Sequence, residues 1–230
     1  MLGLLVGGDA CGAQTSGAAL LAQTIAHEDG LPSFSTLITN TFGADAGQQV
    51  QARYWRRLAA DGSAQVRVAL LPGSGRDGAD PQGEIKVFVF SGGGCTFRFR
   101  GHAISVDPVL VPTYGITDFI TPPAAGQAIA ISAATCQGLP CTHLTQTIPA
   151  DPATQAAAII LDYDIDQASG LIVQVVRHDG AALSYGVVRS QLQFGAQATT
   201  DALFAPAPQL RPGMISDAAT LTAALGRGIP

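Results

Sequence analysis

Three aspartates at alternate positions have the clearest potential for chemistry in this sequence. Asp162, Asp164 and Asp166 are spaced like the first ligands of an EF-hand calcium loop. That loop also requires a glycine at its sixth position and a glutamate at its twelfth, where this chain has Gln167 and Val173. On a strand the three carboxylates would share one face. We interpret them as a solvated face, with a shared cation as the alternative, and they remain the candidate metal ligands.

The four cysteines predict disulfide bonds. Cys136 and Cys141 enclose a glycine and a proline that allow a tight turn, so we expect these two thiols to be bridged. Cys11 and Cys95 would then be the remaining pair, and the alternative is four buried free thiols that pack as small apolar side chains. Zinc is not predicted, because a CxxC pair is missing and His143 is the only nitrogen ligand nearby. Disulfides indicate a location outside the cytoplasm, which we interpret as extracellular, cell-surface or virion.

Motifs for catalysis and for phosphate binding are incomplete. The histidines do not occur in HxxxH or HExxH spacing, and a GxSxG elbow is missing. Ser91 precedes three glycines whose amides could form an oxyanion hole, but a tight turn explains the segment better. Residues 73–78 match GxGxxG, yet a loop containing Pro81 follows where a dinucleotide site needs a helix. We therefore predict no catalytic residue and no cofactor, with a hydrolase built from distant residues such as Ser91 and His102 as an alternative.

Composition narrows the classes of partner. Charged residues make up 13% of the chain and its net charge is −5, whereas about a quarter of a soluble domain is usually charged. A weakly charged surface suits contact with other protein subunits. Nucleic-acid binding needs a basic face, which this chain lacks. The sequence has no apolar run of about 20 residues that would cross a bilayer, and residues 1–6 lack the basic start of a signal peptide.

Residues 1–62 are predicted to form a helical segment. Residues 15–27 are rich in alanine and compatible with a helix. Asp45 is placed to cap a second helix by accepting hydrogen bonds from its first amides. Three residues at helical spacing would give this second helix its apolar face: Val50, Tyr54 and Leu58.

From Ala64 the hydrophobic pattern changes to a period of two, which predicts strands. The clearest feature is a hairpin that joins residues 84–90 to residues 95–100. Residues 107–126 predict a long irregular connection. The other predicted strands are residues 65–71, 127–133, 142–148, 156–164, 171–176, 182–188 and 191–194.

The predicted fold class is mainly β (α+β). We expect an antiparallel sheet or sandwich, with one or two N-terminal helices and a short C-terminal helix that Ser216 caps. The predicted organisation has three parts. An N-terminal helical segment, residues 1–62, packs on a β-rich domain, residues 63–204, and a proline-rich linker with the last helix follows in residues 205–230.

The sequence from Ile159 to Gly195 contains a series of short strands with recognisable residues. A strand carrying Tyr163 leads to a strand ending at Arg177, and a Gly-Val step precedes an alternating strand that ends at Gly195. This series resembles the C-terminal β-meander of minor pilins and pseudopilins, and the hairpin of residues 84–100 is similar to their central sheet. The leader and long N-terminal apolar helix of that family are not found in this sequence. The resemblance implies a protein that works by packing, so no functional residues carry over.

Three functional hypotheses follow. The first is a non-enzymatic structural subunit of a larger surface or virion assembly, either a pilin-like filament component or a phage decoration or tail protein. Its partners would be protein subunits of the same homo- or hetero-oligomer. The second is a secreted or displayed β-sandwich binding domain that uses the loop of residues 107–126 with Tyr114 and Phe119. The third is the hydrolase.

Overall fold

The structure, a computed structural model, describes residues 16–43, 49–71, 86–99, 102–111, 115–205 and 209–227. The helices are α1 (Gly17–Gly30), α2 (Asp201–Phe204) and α3 (Ala218–Arg227), with single 3-10 turns at Pro108–Leu110, Ile116–Phe119 and Ala196–Ala198. The strands are β1 (Ser33–Phe42), β2 (Gln49–Leu58), β3 (Ala64–Leu70), β4 (Lys86–Ser91), β5 (Gly94–Phe99), β6 (His102–Val106), β7 (Ile129–Cys136), β8 (Leu139–Ile148), β9 (Ile159–Asp166), β10 (Ile172–Asp179), β11 (Ala182–Phe194) and β12 (Gln209–Ile215).

The twelve described strands form one open sheet in the order β12-β6-β5-β4-β3-β2-β1-β11-β10-β9-β8-β7. Two antiparallel meanders, β1 to β6 and β7 to β11, meet where β1 pairs with β11. The pair β12–β6 is parallel, so the sheet is mixed. The mainly β prediction is confirmed. The sandwich alternative is wrong, because these strands hydrogen-bond into a single sheet that is covered by helices and connecting segments.

One face of the sheet, called the inner face here, carries the main core. Residues of neighbouring strands lie directly opposite one another in register on this face, as in the row Leu144, Tyr163, Val175 and Val187. Burying such a row removes a continuous apolar strip from water, which is the dominant favourable term in folding. The core is completed from above the sheet by Leu21 of α1, Ile116 of the second 3-10 turn and Leu221 of α3.

The predicted second helix is wrong, because residues 49–58 form strand β2. Val50, Tyr54 and Leu58 are four residues apart, and four is close to one helical turn and also a multiple of the strand period of two. Since β2 pairs with β1 on one side and β3 on the other, the strand satisfies its backbone groups on both edges. The described part of residues 1–62 therefore holds one helix and two strands, and Asp45 lies outside the described residues.

Three further predictions concern the first helix, the proline-rich linker and the start of the last helix. Helix α1 is present, with the Ser16 hydroxyl accepting a hydrogen bond from the Ala19 N–H. The predicted linker of residues 205–212 contains the start of β12, which the parallel pairing with β6 holds in the sheet. Asp217, and not Ser216, caps α3, because its carboxylate accepts a hydrogen bond from the Thr220 N–H at 2.8 Å.

Candidate functional site

A cavity of about 350 Å³ lies at one end of the β7–β11 meander, beside a disulfide bond. Four features converge on it: the β7–β8 turn, the β9–β10 turn, strand β10 and a bulge in β11. We call this cavity the disulfide pocket. It is lined by Cys136, Gln137, Leu139, Cys141, Asp166, Ala168, Ser169, Val173, Arg189, Ser190, Gln191, Leu192 and Phe194.

The disulfide joins Cys136 to Cys141 across the β7–β8 hairpin, so the predicted local bridge is confirmed. The turn between the strands consists of Gln137 and Gly138, which have φ values of 50° and 83°. Two consecutive positive φ values are typical of the tight hairpin turns that match the twist of the strands. The sulfur atoms of this bridge pack with Val173 into a small apolar cluster that forms one wall of the pocket.

A bulge in β11 forms another part of the lining. The pairing register between β1 and β11 shifts between Ser35 and Leu37. Gln191 has a φ of 52°, and the Thr36 hydroxyl donates a 2.7 Å hydrogen bond to the Ser190 carbonyl. Bulges bend a strand and redirect its side chains. This bulge separates the regular part of β11 from its last residues, Leu192 and Phe194, which line the pocket.

The rim of the pocket is apolar and open to solvent. Leu139 is 56% exposed and Phe194 is 48% exposed. Isolated exposed apolar residues are common, but two large ones at the edge of one apolar cavity are typical of a surface that binds a ligand or a partner protein. A cavity of this size lies within the range of about 300–1,000 Å³ that is usual for ligand sites.

Asp166 provides a charged group inside this apolar pocket. Its Oδ2 atom accepts hydrogen bonds from the N–H and the hydroxyl of Ser169, at 2.8 and 2.6 Å. Its Oδ1 atom is buried and has no hydrogen-bond partner among the described residues. Burial alone would raise the pKa of Asp166, but the hydrogen bonds from Ser169 outweigh that cost and hold the pKa below its ordinary value. The carboxylate is therefore charged at neutral pH, and its buried Oδ1 atom has no donor among the described residues.

Helix α1 is tied to two walls of the pocket. The His27 Nε2 atom lies 3.1 Å from the Ser169 carbonyl oxygen in the β9–β10 turn. Glu28 accepts two hydrogen bonds from the Arg189 guanidinium, at 2.7 and 2.9 Å, and both side chains are almost fully buried. The Arg189 carbonyl in turn accepts a 2.8 Å hydrogen bond from the Gln137 side chain. These contacts link the helix on the inner face to the bulge and the hairpin turn.

The arrangement is suited to binding. Among the described residues that line the pocket there is no histidine and no free cysteine, and the neighbouring His27 contacts the carbonyl of Ser169 and not its hydroxyl. Apolar walls with one charged acceptor select a ligand that combines an apolar group with a hydrogen-bond donor.

Two of the aspartates predicted as candidate metal ligands contact one histidine. The Oδ1 atom of Asp164 lies 2.7 Å from His143 Nδ1, and the Oδ1 atom of Asp162 lies 3.3 Å from His143 Nε2. Asp162 also accepts a 2.8 Å hydrogen bond from the Thr145 hydroxyl. Asp166 is engaged in its turn. Among the described residues, no group of three or more His, Cys, Asp or Glu side chains is placed to hold a metal ion. A shared cation at these positions stays a prediction.

The other predicted residues lie away from the pocket. Cys95 is a buried free thiol, and its predicted partner Cys11 lies outside the described residues. Ser91 accepts a hydrogen bond from Gln65 in the β4–β5 turn region. The side chain of His102 is also outside the described part of the chain.

The predicted binding loop is partly packed into the fold. The Phe119 ring lies 5.3 Å from the Tyr185 ring, and its carbonyl accepts a hydrogen bond from the Tyr185 hydroxyl. Tyr114, residues 73–78 and Pro81 lie outside the described residues.

Sequence reasoning did not find Leu139, Phe194 or the Glu28–Arg189 pair. One signal was available for Glu28. It follows Leu21 and Thr24 at helical spacing, which places it on the buried side of α1. A buried glutamate requires a partner, but nothing local identifies Arg189. Leu139 and Phe194 look like ordinary strand residues in the sequence.

The fold resembles that of MucB. In the complex structure of Pseudomonas aeruginosa MucA/MucB, the match has a TM-score of 0.54 and 17% identity, over 83% of this chain and 61% of that chain. MucB in complex with MucA(peri) matches with a TM-score of 0.55 and 17% identity, over 85% and 62% of the two chains. This chain therefore spans about three-fifths of the length of those MucB chains. No family model and no curated protein sequence matches the chain.

These matches correct the pilin interpretation. The structural neighbours have a MucB-like fold and are not pilins, so the resemblance of residues 159–195 is wrong. In the structure these residues form β9, β10 and β11 at the interior of a twelve-stranded sheet. Antiparallel meanders share turn glycines and alternating apolar residues across many folds, which explains the misleading similarity.

The functional hypotheses built on that interpretation are corrected as well. A pilin-like filament component and a phage decoration or tail protein are wrong, because the neighbours are MucB proteins in complexes with MucA. The β-sandwich binding domain is wrong in its architecture, since the described strands form one sheet. The hydrolase is not supported by these neighbours either.

Within the described residues, no helix is long and apolar enough to cross a membrane.

Proposed function

We propose that this chain is a non-catalytic binding protein outside the cytoplasm, which holds an apolar segment of a partner protein in the disulfide pocket. The observation that carries the proposal is the exposure of Leu139 and Phe194 at the rim of this pocket. Side chains of this kind, around a preformed apolar cavity, form the centre of protein interfaces. The disulfide supports an oxidising location.

The fold supports the same proposal. The two MucB structures described above are complexes with MucA. In those structures, a protein with a similar fold binds a partner protein. In this chain we assign the contact to the disulfide pocket on its own geometry. The charged carboxylate of Asp166, which lines the pocket, favours partner segments in which a lysine, an arginine or an amide lies next to a large apolar side chain.

The test is selection of peptides from a random displayed library on the purified chain. We expect enriched peptides to combine an apolar residue with a basic or amide residue, and to lose at least about tenfold in affinity against Leu139→Asn and Phe194→Asn, as for hot-spot residues. Both side chains are about half exposed, so these variants should fold. Val109→Asn is the matched control, because Val109 is 88% exposed and does not line the pocket.

A further comparison uses Asp166→Asn. We expect it to weaken the basic peptides more than peptides that carry only an amide, because the charge on the acceptor is lost. Peptides that bind wild-type protein, Leu139→Asn and Phe194→Asn equally well would overturn the assignment of the pocket. A library that yields no binder to the wild-type chain would overturn the proposed function itself.

A further inference from the structure

A second cavity, of about 510 Å³, lies on the opposite half of the sheet. It is open on the outer face, the side of the sheet away from the main core. Four of its lining residues lie side by side in register on neighbouring strands: Val89 of β4, Thr96 of β5, Ser105 of β6 and Met214 of β12. The volume suits a small molecule. We call it the outer cavity.

The outer cavity contains an arginine that has no counter-charge among the described residues. Arg98 lines it, and its buried Nε atom has no hydrogen-bond partner among the described residues. Within the described part of the chain, Arg98 forms no ion pair with a carboxylate. Burial of the guanidinium lowers the pKa of Arg98.

A second arginine increases the positive potential. Arg67 of β3 also has a buried Nε atom with no partner among the described residues, and its guanidinium donates to the Leu203 carbonyl. Burial lowers the pKa of Arg67, and the charge of Arg98 lowers it further. Two neighbouring cations with incomplete hydrogen bonding are costly unless an anion approaches them. The site is therefore complementary to an oxyanion.

The rest of the outer cavity is largely apolar. Phe204 of α2 and Met214 line it, and Met214 is 56% exposed. Phe204 packs with Trp55 against the apolar cluster that includes Val89. Thr96 and Ser105 add two hydroxyls to the lining, in the row between Val89 and Met214. A ligand that satisfies both parts has a charged head and an alkyl chain.

We propose that the outer cavity binds a small amphiphile whose carboxylate or phosphate monoester head accepts hydrogen bonds from Arg98, with its alkyl chain on Phe204 and Met214. This site is separate from the disulfide pocket, and the inference does not depend on the proposed function.

Trp55 provides a direct probe, since it is the only tryptophan of the chain. It contacts the same cluster as Phe204, so a brominated fatty acid bound in the outer cavity should quench its fluorescence. Dodecanoate and dodecyl phosphate should reverse the quenching by competition. Acetate and inorganic phosphate test the head alone, and dodecanol tests the chain alone. We expect these three compounds to compete at least about tenfold more weakly than dodecanoate and dodecyl phosphate, because each lacks either the charged head or the alkyl chain.

Variants separate a specific site from general apolar adsorption. Arg98→Gln should weaken dodecanoate binding about tenfold to a hundredfold, which is the effect of losing hydrogen bonds to a charged group. Arg53→Gln is the matched control, because Arg53 carries the same charge on β2 and does not line the cavity. Met214→Asp should also weaken binding, because it places a charged carboxylate against the alkyl chain, whereas the uncharged Met214→Gln should retain more of the affinity.

The proposal is overturned if dodecanol competes as well as dodecanoate, or if Arg98→Gln binds as tightly as Arg53→Gln. Absence of quenching by the brominated fatty acid in the wild-type protein would overturn it as well. Leu139→Asn should leave dodecanoate binding unchanged, so a failure here is distinguishable from a failure at the disulfide pocket.

Discussion

Glu28 and Arg189 form an ion pair that is almost completely removed from solvent, with side-chain exposures of 3% and 0%. Two charges in the core are costly to desolvate, so their pairing has to be nearly complete. The guanidinium also lies 5.4 Å from the centre of the Phe34 ring, which adds a cation–π contact. The pair fixes where α1 lies on the sheet and holds β11 beside the disulfide pocket.

Removal of one member should therefore be severe. We expect Glu28→Gln to lower the free energy of unfolding by about 3–5 kcal/mol, because it leaves the Arg189 charge buried without a counter-charge. Urea denaturation measures this change. Asp29→Asn is the control, since Asp29 is 66% exposed and its loss should cost under about 1 kcal/mol. Equal effects of the two substitutions would contradict the structural role of the buried pair.

Cys95 predicts a dependence of stability on alkaline pH. Burial raises the pKa of its thiol from 9.0 to about 12. Because the folded state disfavours the thiolate, this stabilising contribution is complete below pH 9.0 and is lost as the pH rises toward about 12. We expect Cys95→Ala to reduce the loss of unfolding free energy over that range, measured by urea denaturation at a series of pH values. An unchanged slope would show that the thiol does not titrate as described.

At the scale of elements, α1 and β2 depend on each other. The Arg56 guanidinium donates hydrogen bonds to the carbonyls of Glu28, Asp29 and Leu31, at distances of 3.1, 2.9 and 3.3 Å. The last carbonyls of a helix have no partner within the helix, and a cation there also interacts favourably with the helix dipole. A strand residue thus completes the C-terminal end of α1.

This contact predicts a difference between two arginines of one strand. Arg56→Met should lower the free energy of unfolding by about 2–4 kcal/mol, since it removes the charged donor shared by one buried and two partly buried carbonyls. Arg53→Met, on the other face of β2, should cost under about 1 kcal/mol. Thermal or urea unfolding of the two variants measures the difference, and similar stabilities would argue against capping by Arg56.

Helices, strands and turns were predicted correctly where the residues that specify them are close together in the sequence. The β4–β5 hairpin and the Cys136–Cys141 bridge were correctly predicted, because turn glycines and alternating residues stand next to one another in the chain. Strand β2 was not predicted correctly, because the spacing of its apolar residues fits both a helix and a strand. Pairing with β1 and β3 makes it a strand. The β11 bulge was also missed, since it exists only as a mismatch with β1.

At the scale of the whole molecule, the β1–β11 pairing joins the two meanders into one sheet. Their cores form one continuous cluster that extends from β6 to β7. Separate folding of the two halves would expose this strip of apolar surface to water. The predicted division at residues 62 and 63 falls between β2 and β3, which are hydrogen-bonded neighbours.

We therefore expect a single cooperative unfolding transition. The fluorescence of Trp55 reports the first meander, and far-UV circular dichroism reports the sheet as a whole. The two signals should have coincident midpoints in urea, as required for two-state unfolding. A tryptophan transition at clearly lower urea than the dichroism transition would indicate that the N-terminal part unfolds independently.

Sequence patterns were enough to predict the β-rich class, the first and last helices, most strand positions and the local disulfide. These features depend on residues within a few positions of one another, where periodicity, turn residues and thiol spacing act directly. Tertiary structure alone decided the single open sheet, the strand nature of β2, and the pairing of Glu28 with Arg189 over 161 residues. It also assembled the disulfide pocket and the outer cavity. Burial and pairing are properties of residues brought together by folding, so their energies cannot be obtained from any one segment of the chain.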